Sequence, residues 1–358
     1  MNGLPVSAAE TNSKNVYNNL TVENSFLGVY LLGVNSAGLQ DDSTIVSNCK
    51  IGGNTQYDIG GGLTNNSVAG IWASNQINCS VYGNIVKNVA GQNLVYGIFF
   101  DVISGTSSIY KNNVTSISNP ATASAVVVSG IRANMATGTH TVRIYNNFIS
   151  GITTNYATAT ATTYVRGINL QVGGGSSATS IFEVSHNSVY IDASSSIGAS
   201  SSCLDVSASS TTGPQIKIRS NIFANFTGSQ TGLTSKHFCC KMNSNTLIGS
   251  TGSTSNNNDF YILNSSNGFV GRGTTTDWAT LTNWQTAHTG MDASSLSVDP
   301  IYASSTDLHI VNPALNSTAA EVTTDDSVDT NTSGFIVNQD TATNVNVNGA
   351  TYIYLAIA

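Results

Sequence analysis

A two-part phrase that recurs along most of the 358-residue chain constrains the fold more than any other feature of the sequence. One copy is Tyr96-Gly97-Ile98-Phe99-Phe100-Asp101, followed by Ile109-Tyr110-Lys111-Asn112-Asn113-Val114. The first part is a small residue followed by alternating apolar side chains. The second part is an apolar residue, an asparagine three positions later, and further apolar residues. Repeats with a period of roughly 20 to 50 residues are typical of solenoids and related repeat folds.

The two parts of the phrase stay in step with one another. Successive anchor asparagines lie from 28 residues (Asn84 to Asn112) to 40 residues (Asn147 to Asn187) apart. The anchors are Asn19, Asn48, Asn84, Asn112, Asn147, Asn187, Asn221 and one of Asn256 to Asn258. The small residues are Gly28, Gly70, Gly97, Gly130, Gly167, Cys203 and Cys239. Two markers that keep step over seven units indicate a genuine structural repeat.

The two-residue alternation within each phrase predicts β-strands, and the Gly-, Ser- and Thr-rich linkers predict surface loops. Six apolar pairs are expected on one inward face: Ile71 and Ala73, Ile98 and Phe100, Ile131 and Ala133, Ile168 and Leu170, Leu204 and Val206, Cys240 and Met242. Because one coil cannot bury its apolar face alone, stacked coils must share a core. The sequence therefore predicts an all-β, parallel β-helix solenoid of about 7–8 coils. Asparagine tolerates a left-handed corner and can bond to its neighbours above and below, which predicts an asparagine ladder.

Composition excludes several classes of function. Only 9% of residues are charged, against about 25% in an average protein, so the surface must be neutral and polar. With 19 acidic and 12 basic residues and no basic patch, nucleic-acid binding is not expected. No apolar run approaches the roughly 20 residues of a membrane span, so membrane insertion is not expected either. Met1-Asn2-Gly3-Leu4-Pro5 does not resemble a signal peptide, and we expect a fragment or a chain exported by another route.

If Ile98 and Phe100 point inward, one residue of each coil forms a row on the opposite face, which we call the outer row. Its members are Tyr30, Trp72, Phe99, Arg132, Asn169, Asp205 and Lys241. Three hypotheses fit this row, which we expect to be exposed. It is a structural surface in which Lys241 pairs with Asp205 and Arg132 with Asp101, a non-catalytic sugar-binding face, or a lyase or hydrolase site. No pair of carboxylates recurs at coil spacing, which disfavours a glycosidase.

The remaining reactive residue types form few patterns. The five cysteines contain no C-x-x-C pair, and Cys203 and Cys239 are expected to be neighbours, as a thiol pair or as a disulfide. The five histidines lack metal-ligand spacing. Asp325, Asp326 and Asp329 form the densest acidic cluster, which fits either a solvated turn or a calcium site. We therefore expect no cofactor and no catalytic constellation.

The apolar-x-x-Asn phrases of residues 15 to 265 resemble the right-handed parallel β-helix superfamily, which includes the pectate-lyase-like proteins. In the following segment, the sequence resembles the closing section of large secreted bacterial β-helix surface proteins. The similar stretches are Asn257-Asn258-Asp259-Phe260-Tyr261, Trp278-Ala279-Thr280-Leu281, Trp284-Gln285-Thr286, Gly290-Met291-Asp292-Ala293-Ser294-Ser295, Asp299-Pro300-Ile301 and Asp307-Leu308-His309-Ile310. The family's usual Ser-Pro-Ala-Ile-Asp-Ala-Gly ending reads Asn312-Pro313-Ala314-Leu315-Asn316-Ser317 here. Residues 348–355 resemble the ends of some phage virion proteins.

The resemblance implies a right-handed coil, two tryptophans that plug the open end of the core, and sugar polymers bound along the outer row. We expect a parallel β-helix over 1–265, a capping section over 266–320 and a small β tail over 321–358. The expected function is a non-catalytic extracellular or cell-surface scaffold or adhesin, with glycan binding on one face. The alternatives are a polysaccharide lyase or hydrolase and a phage tail fibre or spike. The sequence makes no prediction of oligomeric state.

Overall fold

The computed structural model describes residues 11–311 with ten short gaps, and two further strands near the C-terminus. The gaps are 37, 62–65, 123–125, 156–163, 173–177, 195–197, 209–213, 229–234, 243–251 and 264–265. The chain divides into two compact units, Met1–Ile310 and Val311–Ala358. In the second unit the described strands Val328–Asn331 and Gly334–Val337 pair as an antiparallel hairpin.

Three parallel sheets make up the first unit, and the chain visits them in rotation, so that each strand pairs with the equivalent strand of the next pass. Sheet 1 contains Val16–Asn18, Ile45–Ser47, Ser80–Tyr82, Thr106–Tyr110, Thr141–Tyr145, Ile181–Ser185, Gln215–Arg219 and Thr254–Asn256. Sheet 2 contains Thr21–Val22, Lys50–Ile51, Ile85–Ala90, Asn113–Asn119, Phe148–Ile149, Ile152–Thr154, Ser188–Ile191, Ile222–Asn225 and Asp259–Ile262. Sheet 3 contains Val29–Leu32, Val68–Ser74, Val95–Ile103, Val128–Met135, Tyr164–Val172, Ser200–Ala208, His237–Met242, Gly268–Arg272 and the antiparallel strand Asp277–Trp278.

The stacked parallel sheets confirm the all-β prediction and are compatible with the predicted β-helix. Asp41–Asp42 and Gln76–Ile77 form a small extra parallel pair. Leu281–Ala287 is the only α-helix among the described residues. It begins at a capping box, in which the Thr280 hydroxyl accepts from the N–H of Asn283 at 3.2 Å.

The six apolar pairs predicted to face inward are all buried in one continuous core. The small residue that precedes them also faces this core, and its size has a steric cause. A Cβ atom on Gly97 would lie 2.3 Å from Cγ1 of Val114 and 2.5 Å from the carbonyl oxygen of Gly130. No side chain fits at such distances, so the position takes glycine through most of the stack.

The predicted asparagine ladder is present, but the anchors mix two neighbouring columns. From Asn84 to Asn221, each ladder Nδ2 donates to the Oδ1 of the next ladder asparagine over 2.9 to 3.0 Å. The ladder consists of Asn84, Asn112, Asn147, Asn187, Asn221 and Asn258. The same oxygens accept the backbone N–H of the preceding ladder residue at 3.0 to 3.1 Å. All six residues are buried.

Asn19, Asn48 and Asn257 belong instead to the column one residue earlier, which we call the turn column. Its members are Asn19, Asn48, Gly83, Lys111, Asn146, His186, Ser220 and Asn257, all with φ between 53° and 67°. The sequence prediction gave both tasks to one asparagine. In the structure, one residue makes the left-handed corner and the next one makes the hydrogen bonds. Cys49 occupies the ladder position before Asn84, and its N–H donates to the Oδ1 of Asn84 at 2.9 Å.

The ladder ends at Asp292, next to the aromatic residues that cover the same end of the core. Asn258 donates from Nδ2 to Oδ1 of Asp292 at 3.2 Å, and the indole Nε1 of Trp284 donates to Oδ2 at 2.8 Å. Trp284 is fully buried against Phe260, and a Cβ atom on Gly271 would lie 2.1 Å from its ring. Trp284 therefore closes this end of the core, as expected, while Trp278 packs half-buried beside it.

Candidate functional site

The outer row is in the register that the sequence predicted. On sheet 3, Tyr30 lies opposite Trp72, Trp72 opposite Phe99, and Phe99 opposite Arg132. The pairing continues through Asn169, Asp205 and Lys241. Parallel pairing thus brings one side chain from each of seven passes into a single line on the outer face of this sheet.

The row is not exposed along its whole length, which corrects the expectation of an open face. Tyr30 is 45% exposed, and Trp72 and Arg132 are half-buried. Phe99 and Lys241 are each only 6% exposed, and Asn169 and Asp205 are fully buried. The row is covered in part by the neighbouring outer-face column. From that column, Tyr96 packs against Phe99 and Arg166 contacts Asp205. The only outer-row side chain with a large exposed surface is therefore at the N-terminal end.

The aromatic end of the row is a packed cluster rather than a flat platform. The rings of Trp72 and Phe99 have centroids 5.2 Å apart and are inclined at 42°, and those of Tyr30 and Trp72 are 5.4 Å apart and inclined at 55°. Tyr96 lies 4.4 Å from Phe99 and is buried. The Arg132 guanidinium sits over both rings, 5.4 Å from the centroid of Tyr96 and 5.2 Å from that of Phe99. This is cation–π geometry.

Asp205 is the centre of a buried charged cluster further along the row. Its Oδ2 lies 3.4 Å from Nζ of Lys241 and 3.5 Å from Nε of Arg166. Its Oδ1 accepts from the Ser207 hydroxyl at 2.6 Å and from Nδ2 of Asn169 at 3.3 Å. Burial alone would raise the pKa of Asp205, but the two cations and the Ser207 bond outweigh it and lower the pKa. The carboxylate therefore stays ionised and fully engaged.

Of the two ion pairs that the structural hypothesis predicted, one is present and the other is not. Lys241 pairs with Asp205 as expected. Arg132 does not pair with Asp101. It donates from Nη1 to the Tyr96 hydroxyl at 2.6 Å and from Nη2 to Oε1 of Gln171 at 3.3 Å. Asp101 accepts from Asn134 at 3.3 Å instead, because Asn134 shares the outward column that contains Asp101.

Several buried polar atoms on this face have no hydrogen-bond partner in the part of the chain that the structure describes. They are Nε1 of Trp72, Oγ of Ser129, Nε of Arg132, Oδ1 of Asn169 and Oγ of Ser202. A buried polar group without a partner costs about 1–3 kcal/mol, so such atoms are rare in folded proteins. Four further atoms of this kind are Oδ1 of Asn75, Oε1 of Gln76, Nε2 of His237 and the hydroxyl oxygen of Tyr302.

Sequence reasoning missed an aromatic stack on the outer face of sheet 1. Tyr82, Tyr110 and Tyr145 are half-buried and stack with centroids 4.8 and 4.7 Å apart, at interplanar angles of 16° and 4°. Each one precedes a ladder asparagine by two residues, a regularity visible in the sequence. The rings face one another along the stack, so their edges and hydroxyl groups are what they present to solvent.

The cysteines and acidic groups show no metal chemistry. All five cysteines are buried free thiols. Cys203 and Cys239 lie opposite each other, between the paired residues Ser202 with Phe238 and Leu204 with Cys240, so they form a thiol pair. Burial raises the pKa of both well above its ordinary value. No cluster of three or more His, Cys, Asp or Glu side chains that could hold a metal ion occurs in the described residues. Asp325 and Asp326, and the side chain of Asp329, lie outside them.

Comparisons with protein-family models, with curated proteins and with solved structures gave no match. The resemblance to pectate-lyase-like proteins therefore rests only on the repeated phrase, and the resemblance to secreted bacterial β-helix surface proteins rests only on the closing motifs. Among the described residues, no helix has the length and apolar character needed to cross a bilayer.

Proposed function

We propose that the chain is a right-handed parallel β-helix that serves as a non-catalytic extracellular or cell-surface scaffold or adhesin. The carrying observation is that the polar side chains of the outer row bond to one another between passes. Lys241 and Asn169 both bind Asp205, and Arg132 binds Gln171 of the next strand. Groups used in this way hold the stack together.

Glycan binding in this proposal is confined to the N-terminal end of the outer row. Tyr30 is exposed and Trp72 is half-buried there, whereas Phe99 and the polar members further along are covered. Stacking a sugar on an aromatic ring removes apolar surface from water, worth about 25 cal/mol per Å². Tyr30 and Trp72 are thus the ligand-contacting residues, and Arg132, Asn169, Asp205 and Lys241 link the later strands of the same column.

The geometry does not favour the lyase alternative at Asp205. A general base for proton abstraction works best when its pKa lies near the operating pH and when it can reach the substrate. Asp205 is buried, has a lowered pKa and is bonded to four side chains. Release of unsaturated products from uronate polymers by the purified chain would revive that alternative.

Binding to an array of neutral and acidic glycans tests the proposed site. Tyr30→Ala should weaken binding about tenfold, equivalent to about 1.4 kcal/mol. Tyr17→Ala is the matched control, since Tyr17 is 37% exposed on the first strand of sheet 1, away from the row. If Tyr30→Ala and Trp72→Ala both bind glycans as the parent chain does, the row is not a glycan site.

A further inference from the structure

A cavity of about 590 Å³ lies at the corner between sheets 3 and 1, away from the outer row. The segments that connect the two sheets differ in length from pass to pass: 33–44, 75–79, 104–105 and 136–140. The cavity lies where the shortest connection passes between longer ones. Asn35 and Ser36 line it from the first segment, and Thr137 and His140 line it from the last. Its size is that of typical small-ligand sites, about 300–1,000 Å³.

The chemistry of the lining is neutral. No Asp, Glu, Lys or Arg lines the cavity. The polar groups are amides, from Asn35 and Gln40, and hydroxyls such as those of Ser36 and Thr137, while Ile77 and Val102 supply apolar surface. Amides and hydroxyls both donate and accept, which suits a ligand that carries many hydroxyl groups and no charge.

The backbone at the floor of the cavity is strained. Val102 has φ 57°, at a bulge between Phe100 and Ile103. A β-branched residue in the left-handed region is a genuine outlier, and such strain costs about 1–3 kcal/mol and clusters at functional sites. The carbonyl oxygen of Val102 accepts from Nε2 of Gln40 at 3.4 Å, so a side chain of one wall is bonded to the strained residue.

The opposite wall is held by His140. Its Nδ1 accepts the N–H of Gly105 at 3.1 Å, so Nε2 carries the proton and donates to the carbonyl oxygen of Thr137 at 2.9 Å. Because both ring nitrogens are hydrogen-bonded, the imidazole fixes the 136–140 segment against the floor of the cavity. The cavity is thereby preformed on two sides.

We propose that this cavity binds an uncharged, hydroxyl-rich saccharide unit. This rests on the proposed function in that the ligand is a carbohydrate, but it assigns a second site, whose lining contains none of the Tyr, Trp or Phe rings that form the N-terminal end of the outer row. Neutral sugars bind in the corner cavity, and loss of the aromatic end of the row leaves this binding unchanged.

The test uses the full chain on an array that contains neutral oligosaccharides and uronate- and sialate-bearing glycans. Thr137→Trp fills the cavity from an exposed wall residue and should weaken neutral-glycan binding at least tenfold. Thr254→Trp, at an exposed position on the last strand of sheet 1, is the matched control and should bind as the parent does. Should Thr137→Trp fail to give the parent circular dichroism spectrum, Ser36→Trp makes the same change from the opposite wall.

The outcomes separate the two sites. Neutral-glycan binding that is lost in Thr137→Trp and retained in Trp72→Ala supports the cavity. If neutral-glycan binding survives both filling variants, the proposal that the cavity binds saccharides is overturned. If Trp72→Ala then abolishes neutral-glycan binding, the proposed row site stands. If the parent chain binds acidic glycans but no neutral ones, the proposal for the cavity is overturned and the proposal for the row is not. Binding of no glycan at all overturns both.

Discussion

Two polar columns run along the stack, and they differ in how completely their groups are used. The asparagine ladder repeats one residue type, and every amide from Asn84 to Asn221 bonds to the next pass. The outer row of sheet 3 changes residue type at nearly every pass. It leaves Nε1 of Trp72, Nε of Arg132 and Oδ1 of Asn169 without a described partner.

This contrast separates a structural column from a specialised one. A ladder of identical amides is satisfied at every step, so it stabilises any number of passes equally. A column that changes residue type and keeps unsatisfied buried atoms stabilises the stack less per residue. The binding role that we propose therefore concerns the row and not the ladder.

The largest effect on stability is expected from comparing substitutions at two adjacent residues that lie on opposite faces of sheet 3. Ile131 is fully buried and Arg132 is half-buried on the outer face. Ile131→Asp places an unpaired charge in the core and should cost about 5 kcal/mol or prevent folding. Arg132→Ala, which loses a cation–π contact and two hydrogen bonds, should cost about 1 kcal/mol. Equal shifts of the thermal midpoint would show that this register is wrong.

The next effect distinguishes the ladder from the turn column at neighbouring positions. Asn147→Ala removes the acceptor of the Asn112 amide and backbone N–H, and should cost about 4 kcal/mol because several buried groups lose partners. Asn146 is exposed with φ 55°, so Asn146→Gly should be neutral or slightly stabilising. Urea unfolding measures both. If Asn147→Ala lowers the free energy of unfolding only slightly, the ladder does not have the structural role described here.

A third effect concerns the charged part of the row and depends on pH. Asp205→Asn leaves Arg166 and Lys241 without their shared carboxylate and should cost about 3 kcal/mol at pH 7. Because the folded-state pKa of Asp205 lies below its unfolded value, the ionised carboxylate stabilises the fold above about pH 4. This contribution is lost as the pH falls through the folded-state pKa. The difference between variant and parent should therefore shrink in acid, and a gap that stays constant down to pH 2 would contradict the ion-pair account.

The sequence predicted the strands, the inward pairs and the row register because all three follow from two-residue periodicity. Ile98 and Phe100 face the core for the reason that the pattern implied. The predicted ladder was off by one residue at Asn19 and Asn48, because asparagine is suited both to the left-handed corner and to side-chain bonding. The phrase alone does not tell these two roles apart.

Exposure of the row could not be predicted from periodicity. Alternation says that Asp205 points away from the core, but Arg166 and Lys241 cover it from the same outer face. Which neighbours cover a residue depends on pairing between passes and on side-chain length. The corner cavity could not be predicted for a related reason. It results from the unequal lengths of the segments that connect sheets 3 and 1 in separate passes, and no sequence motif marks it.

The coupling free energy between two ladder residues tests the central contrast most directly. A double-mutant cycle on Asn147 and Asn187, whose side chains are 2.9 Å apart from Nδ2 to Oδ1, should give a coupling of about 1 kcal/mol. The same cycle on Asn146 and His186, which lie one residue earlier in the same two turns and belong to the turn column, should give a coupling near zero. A coupling in the ladder pair no larger than in the turn pair would contradict the claim that the ladder binds successive passes together.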